Sequence, residues 1–171
     1  MKKKPIYLYI LLFFSTVGTL TSAVATFGAS KNFELTDDFA NQLALTTAQD
    51  KADYIVYYEK SVQVNQSPLA FLFVSLILIA LLATFYFLFM KQDLLTAHYT
   101  YMGQIVLSQV FSCYNYFAGR SLLATFSNPS LRQRYLASSS LALLLLMAIA
   151  ILFFGIVLYK ALRLRKAQAR A

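Results

Sequence analysis

The feature that most constrains this chain is an uninterrupted apolar stretch at residues 69–90, whose 22 positions hold no charged side chain. A stretch of this length is typical of a helix that crosses a bilayer, because a helix satisfies its own backbone hydrogen bonds in hydrocarbon. With 59% of its 171 residues hydrophobic and 13% charged, the chain also carries too much apolar surface for one soluble core. The sequence therefore predicts an integral membrane protein.

Three further stretches extend this prediction to an all-α, four-helix transmembrane bundle in a single membrane domain. Pro5, Ser67-Pro68 and Asn128-Pro129 suit helix starts, because proline lacks the N–H that would be unpaired there. The predicted segments are transmembrane helices at 5–28, 67–90, 94–119 and 129–159, an acidic extracytoplasmic loop at 29–66, an outer loop at 120–128 and a basic cytoplasmic tail at 160–171. The few residues between the second and third helices predict a tight antiparallel hairpin.

The first predicted helix has an alternative interpretation as a cleaved signal peptide. Residues 1–4 (MKKK) supply a basic start, and residues 23–25 (AVA) resemble the small-residue motif of a cleavage site. The 24 residues at 5–28 are long enough to span the membrane, which favours an uncleaved anchor. Cleavage would leave three helices and the same cytoplasmic C-terminus.

Basic residues set the predicted orientation, since cytoplasmic segments of membrane proteins carry an excess of lysine and arginine. With both termini in the cytoplasm of a cell-membrane protein, nine of the 15 basic residues lie inside. The six that lie outside are Lys31, Lys51, Lys60, Arg120, Arg132 and Arg134. The five cations of the tail are predicted to contact anionic lipid headgroups at the inner surface: Lys160, Arg163, Arg165, Lys166 and Arg170.

The acidic loop holds six of the seven acidic residues of the chain. Thr36, followed by Asp37 and Asp38, is typical of an N-cap with acids on the first helical turn. A helical segment from about Asp37 is therefore predicted, with an apolar stripe along one face. The alternative is a β-strand through residues 54–58 (YIVYY), which are β-prone but break the alternation of a half-buried strand.

The third predicted helix carries an ordered set of polar residues. At 3.6 residues per turn, five of them fall within roughly a quarter of the helix circumference. They are Tyr101, Gln104, Ser108, Ser112 and Asn115. A stripe of this kind faces protein or water rather than lipid. It indicates hydrogen bonding between helices of the bundle, or alternatively a contact surface for a second membrane protein or a polar passage for a small solute.

No motif commits the chain to catalysis, and neither a cofactor nor a metal ion is expected. His98 is the only histidine and Cys113 the only cysteine, and no acidic residue stands at ligand spacing from His98. His98 is interpreted as an interfacial residue near the cytoplasmic ends of the second and third helices, with a pH-responsive contact as the alternative. Ionisable residues are absent from the middle of every predicted span, which argues against catalysis within the bilayer. The basic residues flank apolar runs, so a nucleic-acid partner is not expected either.

These observations favour a non-enzymatic accessory or scaffold subunit of a larger membrane complex. Its expected partners are membrane lipids and another membrane protein or a second copy of the chain. The alternative is a small transporter or permease component, in which the outer arginines handle an anionic solute. A third hypothesis is an envelope or lipid enzyme that uses acids of the outer loop as acid and base: Asp37, Asp38, Asp50 and Glu59.

Overall fold

A computed structural model describes residues 5–28, 30 and 33–169, and these residues are helical apart from short connections. The helices are α1 (Ile6–Phe27), α2 (Asp37–Gln42), α3 (Ala48–Asn65), α4 (Pro68–Phe85), α5 (Leu94–Leu122) and α6 (Pro129–Gln168). A π-helical turn (Tyr86–Met90) continues α4, and a 3-10 turn (Leu123–Thr125) follows α5. No strand occurs in the described ranges, so the prediction of an all-α chain is confirmed.

Three of these helices are long and apolar enough to cross a membrane. They are α1, α4 together with its π-helical turn, and α6, which correspond to the first, second and fourth predicted spans. α5 corresponds to the third and is 29 residues long, but its polar residues lower its mean hydropathy, so it is not among the three. α6 has 40 residues and continues well past residue 159, so most of the predicted basic tail is helical.

Three helices start at the caps that the sequence predicts. At the start of α2, the side-chain oxygen of Thr36 accepts a hydrogen bond from the backbone N–H of Phe39. Ser67 caps α4 and Asn128 caps α6 in a similar way. Proline occupies the first turn of both α4 and α6. The N–H groups of a first turn have no acceptor within the helix, so the N–H that proline lacks costs no hydrogen bond there.

The acidic segment forms two helices, where the sequence predicts one helical segment from about Asp37. After α2 the chain turns through Ala44, whose φ of 55° lies in the left-handed region. α3 then starts at a capping box, in which the side chains of Thr47 and Asp50 each accept a hydrogen bond from the other's backbone N–H. Residues 54–58 lie within α3, so the helix prediction for them is confirmed and the strand alternative is wrong.

α1 packs against α4, with Phe27 on Phe71 and Tyr9 on Phe89, and runs in the same direction as α5, which its side chains reach. Three side-chain contacts join α1 to α5, and their residue numbers rise in the same order on both helices, which shows the common direction. They are Tyr7 with His98, Ser15 with Tyr101, and Thr19 with Gln104. Leu8 and Leu12 of α1 are buried in the apolar core that surrounds this contact. α1 is therefore an integral part of the packed bundle.

α4 and α6 run antiparallel to α5. The hydroxyl groups of Ser67 and Tyr114 meet at one end of the α4–α5 hairpin, and those of Thr84 and Thr100 meet nearer the turn. α6 returns along α5, with Ser140 in contact with Tyr116 near its start and Lys160 over the ring of Tyr7 near its end. The tight hairpin predicted between the second and third spans is confirmed by these contacts.

The α2–α3 segment (residues 33–66) packs on the connection between α5 and α6. The centre of this contact is Phe126, whose ring is fully buried. Its centroid lies 4.9 Å from that of Tyr135, in a stacked arrangement, and 5.1 Å from that of Tyr57. Leu45 belongs to the same buried cluster. The segment is thus a folded part of the molecule at the end of the bundle away from His98.

Candidate functional site

The contact between α1 and α5 buries the first residue of the predicted polar stripe. Tyr101 is fully buried. Its hydroxyl donates to the backbone carbonyl of Leu11 at 3.2 Å and accepts a hydrogen bond from Ser15 Oγ at 2.7 Å. Because the single proton of the hydroxyl is already donated, Tyr101 holds α1 against α5 and presents no free donor to a ligand.

Three residues further along α5, Gln104 is buried with only one end of its amide satisfied. The side chain is 1% exposed, and its Nε2 donates to Thr19 Oγ1 of α1 at 3.3 Å. Its Oε1 has no hydrogen-bond donor among the described residues. Leaving a buried amide oxygen unpaired costs about 1–3 kcal/mol, which favours a donor supplied from outside the chain.

A cleft of about 610 Å³ lies beside this amide, between α1 and α6 and across one face of α5. We refer to it as the α1–α6 cleft. Four of its α1 residues are small: Ser15, Gly18, Thr19 and Ser22. The α6 wall is apolar and consists of Leu146, Ile149, Ala150 and Phe153. The polar part of the floor belongs to α5 and consists of Gln104, Ser108, Gln109 and Ser112.

The cleft opens sideways at the middle of the bundle. Gly18 and Phe14 are exposed on the α1 rim, as are Leu146 and Ile149 on the α6 rim. Gln104 lies ten residues beyond the start of α5, which is about 15 Å at 1.5 Å per residue. The opening therefore lies away from both ends of α5, which has 29 residues.

The structure divides the predicted stripe among three environments. Gln104, Ser108 and Ser112 line the α1–α6 cleft. Tyr101 is buried against α1, outside the cleft lining. Asn115 is half-buried beyond the cleft, and its Oδ1 has no donor in the described part of the chain. The hydroxyl of Ser112 donates to the backbone carbonyl of Ser108, so its proton is already committed.

Two contributors to the cleft are not part of the predicted stripe. Gln109 lines it from α5, and its Oε1 is another buried acceptor without a donor among the described residues. The small face of α1 is the second contributor. Its residues are spaced i, i+3, i+4 and i+7 from Ser15, and this helical spacing of small residues is the sequence signal that indicates a face for close helix approach.

Four of the five predicted lipid-contact residues lie on the last turns of α6. Arg163, Arg165 and Lys166 are exposed, and Lys160 Nζ lies 5.3 Å from the ring centroid of Tyr7. Lys160 thus contacts α1 as well as extending toward the end of the bundle. Arg170 lies outside the described residues.

His98 lies in the second turn of α5 and is fully buried between α5 and α1. Its Nδ1 contacts the backbone carbonyl of Leu94, which can only accept, so Nδ1 carries the proton. Its Nε2 then accepts a hydrogen bond from the hydroxyl of Tyr7. Both ring nitrogens are therefore engaged, Nδ1 within α5 and Nε2 in the contact that joins α5 to α1. Within the described residues, no three His, Cys, Asp or Glu side chains are grouped to hold a metal ion.

Two acids of the α2–α3 segment bind the loop that follows α5. The Asp53 carboxylate accepts hydrogen bonds from the backbone N–H of Ser127 at 2.6 Å and from Gln49 Nε2 at 2.7 Å. The Asp50 carboxylate accepts from the backbone N–H of Thr47 and from Asn128 Nδ2, both at 3.2 Å. The bond to Ser127 is the main reason that the pKa of Asp53 is lowered, and bonding to Thr47 is the main reason for Asp50. Both carboxylates thus serve the fold of the segment.

We expect the α2–α3 segment to lose stability as the pH falls below about 4. The folded-state pKa values of Asp50 and Asp53 lie below their ordinary value of 3.8. The stability that these two ionised carboxylates contribute is therefore complete above a pH of that value, and it is lost as the pH falls through the lowered pKa values. Near-ultraviolet circular dichroism of the clustered tyrosines, recorded from about pH 7 to about pH 2, measures the loss.

The double substitution Asp50→Asn and Asp53→Asn should weaken this dichroism at neutral pH and flatten its dependence on pH. Asp38→Asn changes an exposed acid in the same segment. The dichroism of this variant should depend on pH in the same way as that of the unsubstituted protein. A dichroism signal that persists unchanged at the lowest pH would contradict the role assigned to the two carboxylates.

A protein-family model covers nearly the whole chain. Its description is "Domain of unknown function (DUF8777)", and it matches residues 1–170. No curated protein and no solved structure matches the chain. The α1–α6 cleft and its polar floor are therefore the basis for an inference about function.

Proposed function

The chain belongs to this family of unknown function, and on that premise we propose that it is a non-enzymatic accessory or scaffold subunit of a larger membrane complex. In this proposal, a transmembrane helix of a partner protein packs into the α1–α6 cleft. The observation that carries the proposal is the Oε1 of Gln104, which has no donor among the described residues and is buried beside a laterally open cleft. Small residues on one wall and a polar group at depth are features of helix–helix interfaces in membranes.

The proposal includes a fourth membrane crossing by α5. Its 29 residues correspond to about 43 Å, which is longer than the hydrocarbon core. It lies between α4 and α6, and its side chains at Tyr101 and Gln104 are covered by α1. Arg120 is its only charged residue and lies in its last turn. Packing against three apolar helices thus compensates for the lower hydropathy of α5.

The proposal also includes an uncleaved α1 and cytoplasmic termini in the cell membrane. Removing residues up to about 25 would expose Tyr101, His98 and Gln104 on α5, together with the apolar core around Leu8 and Leu12. The last turns of α6 and the start of α1 meet at Lys160 and Tyr7, so these two helix ends lie at the same end of the bundle as Arg163, Arg165 and Lys166. The excess of basic residues there favours the cytoplasmic side.

The alternative, a transporter component, has less support from the geometry. Of the described residues that line the cleft, none is charged. Two of the outer arginines bind the fold itself: Arg132 donates to the backbone carbonyl of Phe126 at 2.9 Å, and Arg134 donates to that of Leu43 at 3.3 Å. These contacts give both guanidinium groups a structural use at the surface of the bundle.

Site-specific photocrosslinking in native membranes tests the proposal. Benzoylphenylalanine replaces Phe14 on the cleft rim and, as a matched control, Phe117 on α5, which does not line the cleft. Both phenylalanines are exposed, by 58% and 65%, so a longer aromatic side chain at either position leaves the small face of α1 unchanged. We expect position 14 to crosslink to a transmembrane peptide of another protein and position 117 to give mainly lipid adducts. Lipid adducts alone at both positions would overturn the proposed function.

A further inference from the structure

We infer that the helix in the α1–α6 cleft belongs to a different polypeptide and presents a side-chain hydrogen-bond donor to Gln104, from Ser, Thr, Asn or Gln. This inference rests on the proposed function and specifies the chemistry of the partner. It joins two independent observations, the small face of α1 and the unpaired Oε1 of a 1% exposed glutamine beside it. The donor would supply the hydrogen bond that Oε1 of Gln104 lacks among the described residues, while Nε2 of the same amide already donates to Thr19.

Depth in the membrane argues against a phospholipid as the occupant that satisfies Gln104. Under the proposed crossing by α5, Oε1 lies about 15 Å along this helix, near the bilayer midplane, where lipids present hydrocarbon chains without donors. A transmembrane helix can carry a hydroxyl or amide to this depth, because its backbone is already satisfied. Such a group is favoured when it meets an unpaired acceptor, and the buried carbonyl of Gln109 offers another in the same floor.

The exposed surface of α6 argues against a second copy of this chain as the occupant. α6 is the least buried of the three candidate spans, so it is the helix that a second copy would present most readily. Its residues 141–154 (LALLLLMAIAILFF) include no hydroxyl or amide side chain. A second copy docked through this face would cover the cleft with apolar groups and leave Gln104 unpaired.

The shape of the α1 wall fits a closely packed helix. Ser15, Gly18 and Ser22 lie on one face of α1, and Gly18 leaves open space where a side chain would stand. Small residues in this arrangement let two helix backbones approach. The apolar α6 wall, which includes Leu146 and Ile149, would pack against Leu or Ile side chains that flank the donor.

Binding of two synthetic transmembrane peptides tests the inference. Both have a Leu/Ala host sequence flanked by Lys, and one has Ser at its centre where the other has Leu. Their affinities for the full-length protein are measured by fluorescence energy transfer in vesicles of phosphatidylcholine and phosphatidylglycerol. We expect the Ser peptide to bind roughly three- to tenfold more tightly, as one interhelical hydrogen bond provides. Equal affinities, including no measurable binding of either peptide, would overturn the inference.

The substitution Gln104→Met tests whether Gln104 causes the preference for the Ser peptide. It keeps the length of the side chain and removes the acceptor, so the Ser and Leu peptides should bind equally well. Gln63→Met makes the same replacement at an exposed position of α3 and should retain the preference. A preference that survives in Gln104→Met would count against the inference.

The outcomes separate this inference from the proposed function. A partner helix that crosslinks at position 14 but has no Ser, Thr, Asn or Gln within two turns of the crosslink would overturn the inference and leave the proposed function standing. Crosslinks to a second copy would likewise overturn the inference, and crosslinks to lipid alone would remove both.

Discussion

Replacing Tyr101 by alanine is expected to lower the free energy of unfolding by roughly 3–5 kcal/mol, as for other fully buried aromatic side chains. Tyr101 is completely buried at the contact between α1 and α5. The substitution leaves a cavity there and removes the hydrogen bonds to Leu11 and Ser15. Because this contact joins α1 to α5, we expect the two helices to separate first when the variant unfolds.

Thermal unfolding in detergent micelles measures this effect. For a chain of this length, the expected loss corresponds to a fall in midpoint temperature on the order of 10 °C. Tyr101→Phe keeps the ring, so its midpoint temperature should fall much less. The difference between this variant and the unsubstituted protein isolates the contribution of the hydroxyl. Tyr99→Ala removes a 43% exposed tyrosine two positions away and serves as the matched control. Equal losses in Tyr99→Ala and Tyr101→Ala would show that burial against α1 is not the cause.

Phe126→Ala is expected to release the α2–α3 segment from the bundle while the long helices remain packed. Phe126 is fully buried, and its ring contacts Tyr135 and Tyr57 with centroids 4.9 and 5.1 Å apart. Removing a buried phenylalanine of this kind costs roughly 3–5 kcal/mol. We expect the loss to be local, because this cluster and the bonds of Asp50 and Asp53 to the adjacent loop join the segment to the start of α6, away from the packed middle of the long helices.

Hydrogen–deuterium exchange of the protein in lipid nanodiscs measures this release. Amides of α3 should exchange about 100-fold faster or more in Phe126→Ala, following the lower free energy of local opening. Phe117→Ala truncates a 65% exposed phenylalanine on α5 and should leave α3 exchange unchanged. If exchange rises equally in all helices of Phe126→Ala, the segment and the bundle unfold as one unit and the expectation of local release is wrong.

The parts of the fold that were predictable from sequence depend on neighbouring residues in the chain. Thr36, Ser67 and Asn128 cap helices because a cap needs only the backbone N–H groups two or three positions ahead. The apolar character of α1, α4 and α6 is likewise a property of each stretch by itself. Local chemistry also placed residues 54–58 in a helix, since the capping box at Thr47 and Asp50 starts α3 ahead of them.

Other features depend on residues far apart in the chain. The polar stripe predicts that one face of α5 avoids lipid, but periodicity does not identify what covers that face. α1 covers Tyr101 through Ser15 and Leu11, about 90 positions earlier in the chain. The same limit applies to Asp50 and Asp53, which the sequence places only within the acidic segment and which bind Asn128 and Ser127 in the structure.

The sequence by itself determined that this chain is helical, that three of its helices can cross a membrane and where several of them begin, because each property arises from interactions within about twenty consecutive residues. Only the tertiary structure decided that α1 packs parallel to α5 and stops short of closing against α6. That arrangement leaves Gln104 buried with an unpaired carbonyl oxygen beside an open cleft. A cleft is the space between helices that are distant in sequence, so its position depends on how their surfaces fit together.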